Sequence, residues 1–318
     1  MRNEFIDTRK AIISILGYFD IFNYPLNRQE IKVFLPIIKT DMELEEGIIS
    51  LLLEKSIFLI QDFYTLRYDP GLIERRKVGN RKAQEMMKTA GQVGRFLSQF
   101  PFIKGLAISG SLSKNYADQK SDIDHFLITT KNRLWIARTL LFFLRKFASL
   151  MGEQDKYCLN YFIDEEELQI KEKNIYTAME LVTLANPIGN ETYDHFLLAN
   201  SWARDFFPNH PFLHIRAKRV KENMFKRIVE SCLNNTIGDY LDNLLMKITT
   251  RIWQFQIKSG RRDSKNQLRV VDFDKHFTKL NPRNFQEVFL SGYESKLLGL
   301  FQKMDLQNQI QNLGNKSA

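Results

Sequence analysis

The stretch GLAISGSLSKNYADQKSDIDHFLITT, residues 105–130, decides how the rest of the chain is read. Leu106-Ala107-Ile108 is a short apolar run with the character of a buried strand. It stops at three small residues, Ser109-Gly110-Ser111, where a tight turn is expected. Leu112 to Tyr116 fits one helical turn. A polar loop follows, and Asp122-Ile123-Asp124 then opens a second apolar run, Phe126-Leu127-Ile128. Alternate residues of a strand share a face, so Asp122 and Asp124 are expected to project together, with Ile123 on the other side. Two such carboxylates repel each other and attract a hard divalent cation. Oxygen ligands favour Mg²⁺ (or Mn²⁺), which takes one or two carboxylates and completes its shell with substrate phosphate. The Gly110-Ser111 turn offers the complement. Glycine lets a phosphate approach the backbone closely, while nearby N–H groups and the Ser111 hydroxyl donate to it. A phosphate-cradling turn followed by a carboxylate pair suits metal-assisted phosphoryl or nucleotidyl transfer.

This order of elements resembles the nucleotidyltransferases of the DNA polymerase beta superfamily, whose motif is a Gly-Ser turn after a strand and an Asp-x-Asp/Glu on the next strand. The matching residues are Gly110, Ser111, Asp122 and Asp124, with a spacer from 112 to 121. The resemblance covers about residues 102–165 and implies an α+β fold, a small mixed β-sheet core flanked by helices. It also implies a bound nucleoside triphosphate, held near Ser109, Gly110, Ser111 and Lys114, and a catalytic, metal-ligating pair Asp122 and Asp124. An acceptor, whether small molecule, protein or nucleic acid, would attack the α-phosphate and release pyrophosphate. The family further expects a third carboxylate on a third strand, and here the sequence departs from the pattern. The candidate strand, Tyr157 to Ile163, offers only Asn160. An amide oxygen can ligate a metal but cannot serve as a base. Three outcomes stay open at this point: Asp155 or Asp164 at the strand's ends supplies the group, a single-metal transfer proceeds without it, or the domain binds nucleotide without transferring it. Asp272-Phe273-Asp274 lacks a Gly-Ser turn and reads as structural.

Working outward, three helical patterns (from Thr8, through Gln29-Glu30-Ile31 behind an Asn27 cap, and from Asp41 to Lys55) precede two short apolar runs. They resemble a winged helix-turn-helix over roughly residues 8–70. Its third helix carries Glu43, Glu45, Glu46 and Glu54 against Lys55 alone, which opposes approach to phosphates, so DNA binding through it is not expected. The domains expected are a winged-helix-like module at 1–70, a connecting helix at 71–101, a catalytic domain at 102–200 and a helical C-terminal domain at 201–318. Of 46 basic and 37 acidic residues, 20 and 11 fall in 201–318, so the whole net charge of +9 sits there. Arg216, Lys218, Arg219 and Lys221 are the residues expected to meet phosphate or acceptor, while Lys114 and Lys120 flank the turn. His125 is expected to pack on the face opposite the carboxylates. His210 and His214 lack companions for a zinc site.

Two cysteines, Cys158 and Cys232, cannot make a disulfide framework. Read as buried thiols, they fit a reducing, cytoplasmic setting, as does an N-terminus without an apolar leader. Charges at Arg138, Arg145 and Lys146 interrupt the most apolar stretch, and no membrane partner is expected. The alternative to an enzyme is a nucleotide-binding regulatory protein that uses the winged helix as its interaction module.

Overall fold

The computed structural model describes residues 7–260, 269–282 and 285–314, and the fold is mixed α+β. The chain forms two compact units, and both are discontinuous in sequence. The first gathers the described residues up to Val78, Trp202–Pro211 and those from Gln286 onward; the second holds Gly79–Ser201 and Phe212–Phe285. No described helix is long and apolar enough to cross a membrane.

The first unit begins with helices α1 (Thr8–Asp20), α2 (Arg28–Phe34) and α3 (Asp41–Leu53). Asn27 and Glu30 close a capping box on α2, and Thr40 and Glu43 close another on α3, each satisfying N–H groups that a helix start leaves orphaned. Of the apolar positions at helical spacing, Ile12, Ile15, Leu16 and Phe19 on α1 and Leu44, Ile48 and Leu51 on α3 are buried, while Leu52, expected on the same side of α3, is half-buried. A tight hairpin follows, β1 (Phe58–Ile60) with β2 (Phe63–Thr65), turning at Gln61 with φ +56°. The acidic residues of α3 are engaged locally. Glu43 takes Lys39 at 2.8 Å, Glu45 takes Arg28 at 2.9 Å, and Glu54 takes Arg9 at 2.5 Å. Helix α4 (Gly71–Leu97) starts in this unit, where buried Arg76 makes a two-pronged pair with Glu30 at 2.7 and 2.8 Å.

In the second unit a six-stranded sheet carries β3 (Ile103–Ile108), β4 (Asp124–Thr129), β5 (Cys158–Asp164), β6 (Ala185–Gly189), β7 (Arg269–Phe273) and β8 (Phe277–Pro282), in the order β6-β3-β4-β5-β8-β7. Only β4 and β5 run parallel. Helix α6 (Leu134–Leu150) makes the crossover between them, the connection that parallel neighbours require; α5 (Gly110–Ser113) is the short turn after β3. One sheet face buries Leu106, Leu127 and Phe162 against Trp135 and Leu141 of α6 and Val93 and Leu97 of α4. On the other, Phe126 meets Tyr161 and Phe196, the latter from α8 (Glu191–Ala199), which follows α7 (Ile175–Val182). Helices α9 (Met224–Leu233) and α10 (Thr236–Lys258) complete the unit.

The region beyond 165 departs from the expected run of helices in three ways. Asn186-Pro187 ends no helix but lies inside β6, a sheet-edge strand where proline removes no ladder bond. Asp272-Phe273-Asp274 belongs to the end and turn of the β7–β8 hairpin, which adds to the edge of β5. The final helix, α11 (Phe285–Gly314), has its residues from Gln286 in the first unit rather than in a C-terminal domain. There Phe289 and Tyr293 lie 4.9 and 5.7 Å from Tyr18, and the Tyr293 hydroxyl donates to the Ser14 carbonyl at 3.1 Å. The sequence from Ser259 to Asn266 reads as a basic, exposed loop, and its residues from 261 onward lie outside the described residues. Cys232, expected buried, is exposed; Cys158 is half-buried.

Candidate active site

At the end of β3 the Ser109 N–H donates to the Asp124 carbonyl at 2.9 Å, carrying the β3–β4 ladder one residue further. Gly110 then turns the chain with φ +71°, and a Cβ there would fall 2.3 Å from Asp124 Oδ2. Both the left-handed backbone and the missing side chain are therefore required. The Asp124 carboxylate lies directly against the turn, and Ser111 beyond it is exposed.

Asp122 sits just before β4 rather than in it. Its neighbour Ile123 is buried and anchored on both sides, donating to the Asp155 carbonyl at 2.9 Å and accepting from Cys158 N at 3.2 Å. Both carboxylates act on the Cys158 thiol. The Cys158 thiol is pushed up to about 12, first by burial and then by the fields of Asp124 and Asp122, with Arg145 opposing them.

Asn160 reaches the same place through an irregularity in β5. The register runs Asp124↔Cys158, His125↔Leu159, then Phe126↔Tyr161, so Asn160 is the extra residue of a bulge. A bulge re-aims the side chain it carries. Here the Asn160 amide donates to Asp124 Oδ1 at 2.5 Å, and its own oxygen accepts from the Cys158 thiol at 3.3 Å. Asp155 stands at this end of β5 with its side chain exposed. Asp164 stands at the other end, opposite Thr129, about 17 Å along the sheet from Asp124. It is fully buried, accepts from Asn132 N and Glu166 N at 2.9 Å, and meets His276 Nδ1 at 3.0 Å. That engagement and distance remove Asp164 from the site.

Lys114 lies beside the turn, but its ammonium is engaged. It donates to the Gly110 carbonyl at 3.1 Å and to Glu180 Oε1 at 2.7 Å. Lys120 is exposed. His125 is buried on the opposite face as expected, with Nε2 3.0 Å from the Lys156 carbonyl. His210 stacks on Phe34 at 5.4 Å. Arg219, expected to meet phosphate or acceptor, lines a cavity of about 620 Å³ with Lys104 and Gly105 at the start of β3, the end remote from Gly110. A second cavity, about 400 Å³, adjoins α5 and is lined in part by Gln84, Asn115 and Asn186.

No family model, curated protein or solved structure matches the chain. The donor set therefore stands on its own chemistry. Among the described residues no three His, Cys, Asp or Glu side chains group to hold a metal ion. Carboxylates of the Asp122 and Asp124 kind fit Mg²⁺ in the mode in which substrate phosphates supply the remaining ligands, whereas Asn160 turns its N–H to Asp124 and its oxygen to the Cys158 thiol. Sequence reading missed Glu180 and Tyr176 of α7. The Glu180–Lys114 pair at 2.7 Å places α7 beside the turn, and half-buried Tyr176 on the same helix has its hydroxyl pushed up by burial and by the fields of Glu180 and Asp124. A polar residue on an otherwise apolar helix was the only available signal.

Proposed function

We propose that the second unit is a Mg²⁺-dependent nucleotidyltransferase that moves a nucleoside monophosphate from a triphosphate to an acceptor. The observation that supports this reading is the close approach of the left-handed Gly110 turn to the Asp124 carboxylate, an arrangement that would bring a phosphate cradle and a cation ligand together. In this reading the Ser111 hydroxyl and the backbone N–H groups of the turn donate to phosphate oxygens. Asp122 and Asp124 would hold Mg²⁺, which when bound would offset the charge of the phosphates. The acceptor's nucleophilic atom forms a bond to that phosphorus, the bond to pyrophosphate breaks, and the acceptor's proton passes to solvent. Asn160 orients Asp124 and takes no proton. The cavity beside α5 offers amide groups to a nucleoside. The helices and hairpin of the first unit are read as a winged-helix-like module that contacts the acceptor or a protein partner.

A second reading, nucleotide binding without transfer, is favoured by one observation: an amide stands where a third carboxylate would be. Incubation with each labelled triphosphate, Mg²⁺ or Mn²⁺, and cell extract separates the two. Transfer with pyrophosphate release is expected, falling at least about a hundredfold in Asp122→Asn/Asp124→Asn. Undiminished release in that double variant would remove this site from the mechanism, and tight binding with no release would favour the second reading.

A further inference from the structure

We propose that Glu180 is a positioning residue: through Lys114 it fixes the Gly110 peptide in the orientation that presents the Ser111 N–H to a triphosphate. The inference rests on the nucleotide-binding reading of the turn.

α5 is four residues long, and the residue before it, Ser109, makes no side-chain capping bond. Gly110 at φ +71° has no Cβ to bar the opposite peptide orientation. In a trans peptide the C=O of one residue and the N–H of the next point in opposite directions. Whatever anchors the Gly110 carbonyl therefore aims the Ser111 N–H. Two side chains reach it, the Ser113 hydroxyl at 2.9 Å and the Lys114 ammonium at 3.1 Å. A flipped peptide would turn the carbonyl oxygen toward the phosphate and repel it.

Lys114 alone would be a poor anchor, because a flexible ammonium can leave a carbonyl for any anion nearby. Glu180 holds it in place at 2.7 Å from a rigid element. α7 is capped by Asn174 and seated by buried Thr177, Ala178 and Met179, next to Glu180. The pair is largely shielded, with side-chain exposures of 16% and 29%. Two of the three ammonium N–H groups are thus committed to holding the turn.

The test measures binding of each Mg²⁺ triphosphate, as its non-hydrolysable α,β-methylene analogue, to the full chain by calorimetry. Lys114→Met and Glu180→Ala should each weaken binding about tenfold. The double variant should be no weaker than the worse single, since both break one strut. Lys114→Arg should recover most of the affinity, and the nucleoside without phosphates should bind all variants alike. Glu180→Gln, isosteric and fold-preserving, should fall between wild type and Glu180→Ala. Loss in Lys114→Met with none in Glu180→Ala would make Lys114 a direct phosphate ligand and overturn the proposal. Multiplicative losses in the double variant would also overturn it. Equal binding by wild type and all variants defeats the strut while sparing the nucleotide reading; a wild type that binds no triphosphate defeats both.

Discussion

His125 directs its one ring N–H, on Nε2, to the Lys156 carbonyl and has no accessible surface. Charging this ring would strip a cation of water, and burial holds its titration down to about 4. The unfolded chain takes the proton near the ordinary histidine value of about 6.5. Between those values the unfolded state binds more protons, so stability rises with pH and is lost as pH falls through the window. Asp242, pushed up to about 6 by burial, works in the opposite sense over part of the same range. The His125 contribution is isolated by comparison with His125→Gln. From pH 7 to pH 4, wild type should lose on the order of 3 kcal/mol more unfolding free energy than the variant. Urea denaturation at several pH values measures this, and parallel pH profiles would contradict it. The position of His125 was legible from strand alternation alone. The Lys114–Glu180 pair was not, because 66 residues separate the partners and no local pattern links them.

The bulge in β5 shows why elements are easier to read than their irregularities. Apolar runs, small-residue turns and helix caps are local, so β3, β4, β5, α6 and the three N-terminal helices follow from the sequence to within a few residues. Ideal alternation, however, puts Asn160 on the face of Phe162, packed against α6, and only the extra residue brings it to Asp124. Strands β6, β7 and β8 were missed because sheet edges far along the chain supply their pairing, and strand propensity is weak without that context. The bulge carries its own test. Asn160→Asp sets a second carboxylate against Asp124 and removes the bond between them. Without divalent metal the variant should melt below wild type, and saturating Mn²⁺ should raise its midpoint by more than it raises wild type's. An equal Mn²⁺ shift in both proteins would mean that residue 160 does not face the cation position.

The first unit is closed by the last helix. Tyr18, Phe22, Phe289 and Tyr293 form one aromatic cluster, with Phe289 stacked 5.3 Å from Phe22 and 6.1 Å from Tyr293. Lys296 pairs with Asp20, and Lys10 with Asp305 at 3.1 Å. Each aromatic pair contributes roughly 0.5–1.5 kcal/mol beyond its buried area, a large share of what a small module can hold. A chain ending at residue 284 should therefore show early proteolysis within residues 7–78, with the sheet of the second unit still protected. Adding a peptide of residues 285–314 should slow that cleavage, and equal protection without the peptide would show that α11 is dispensable. The same arrangement sets an order in time. A ribosome delivers α1 before the sheet and its covering helix after it, a gap of tens of seconds at ordinary elongation rates. Throughout that interval the Tyr18 face waits uncovered while the intervening sheet is made, so the unit begun before the sheet is completed only after it.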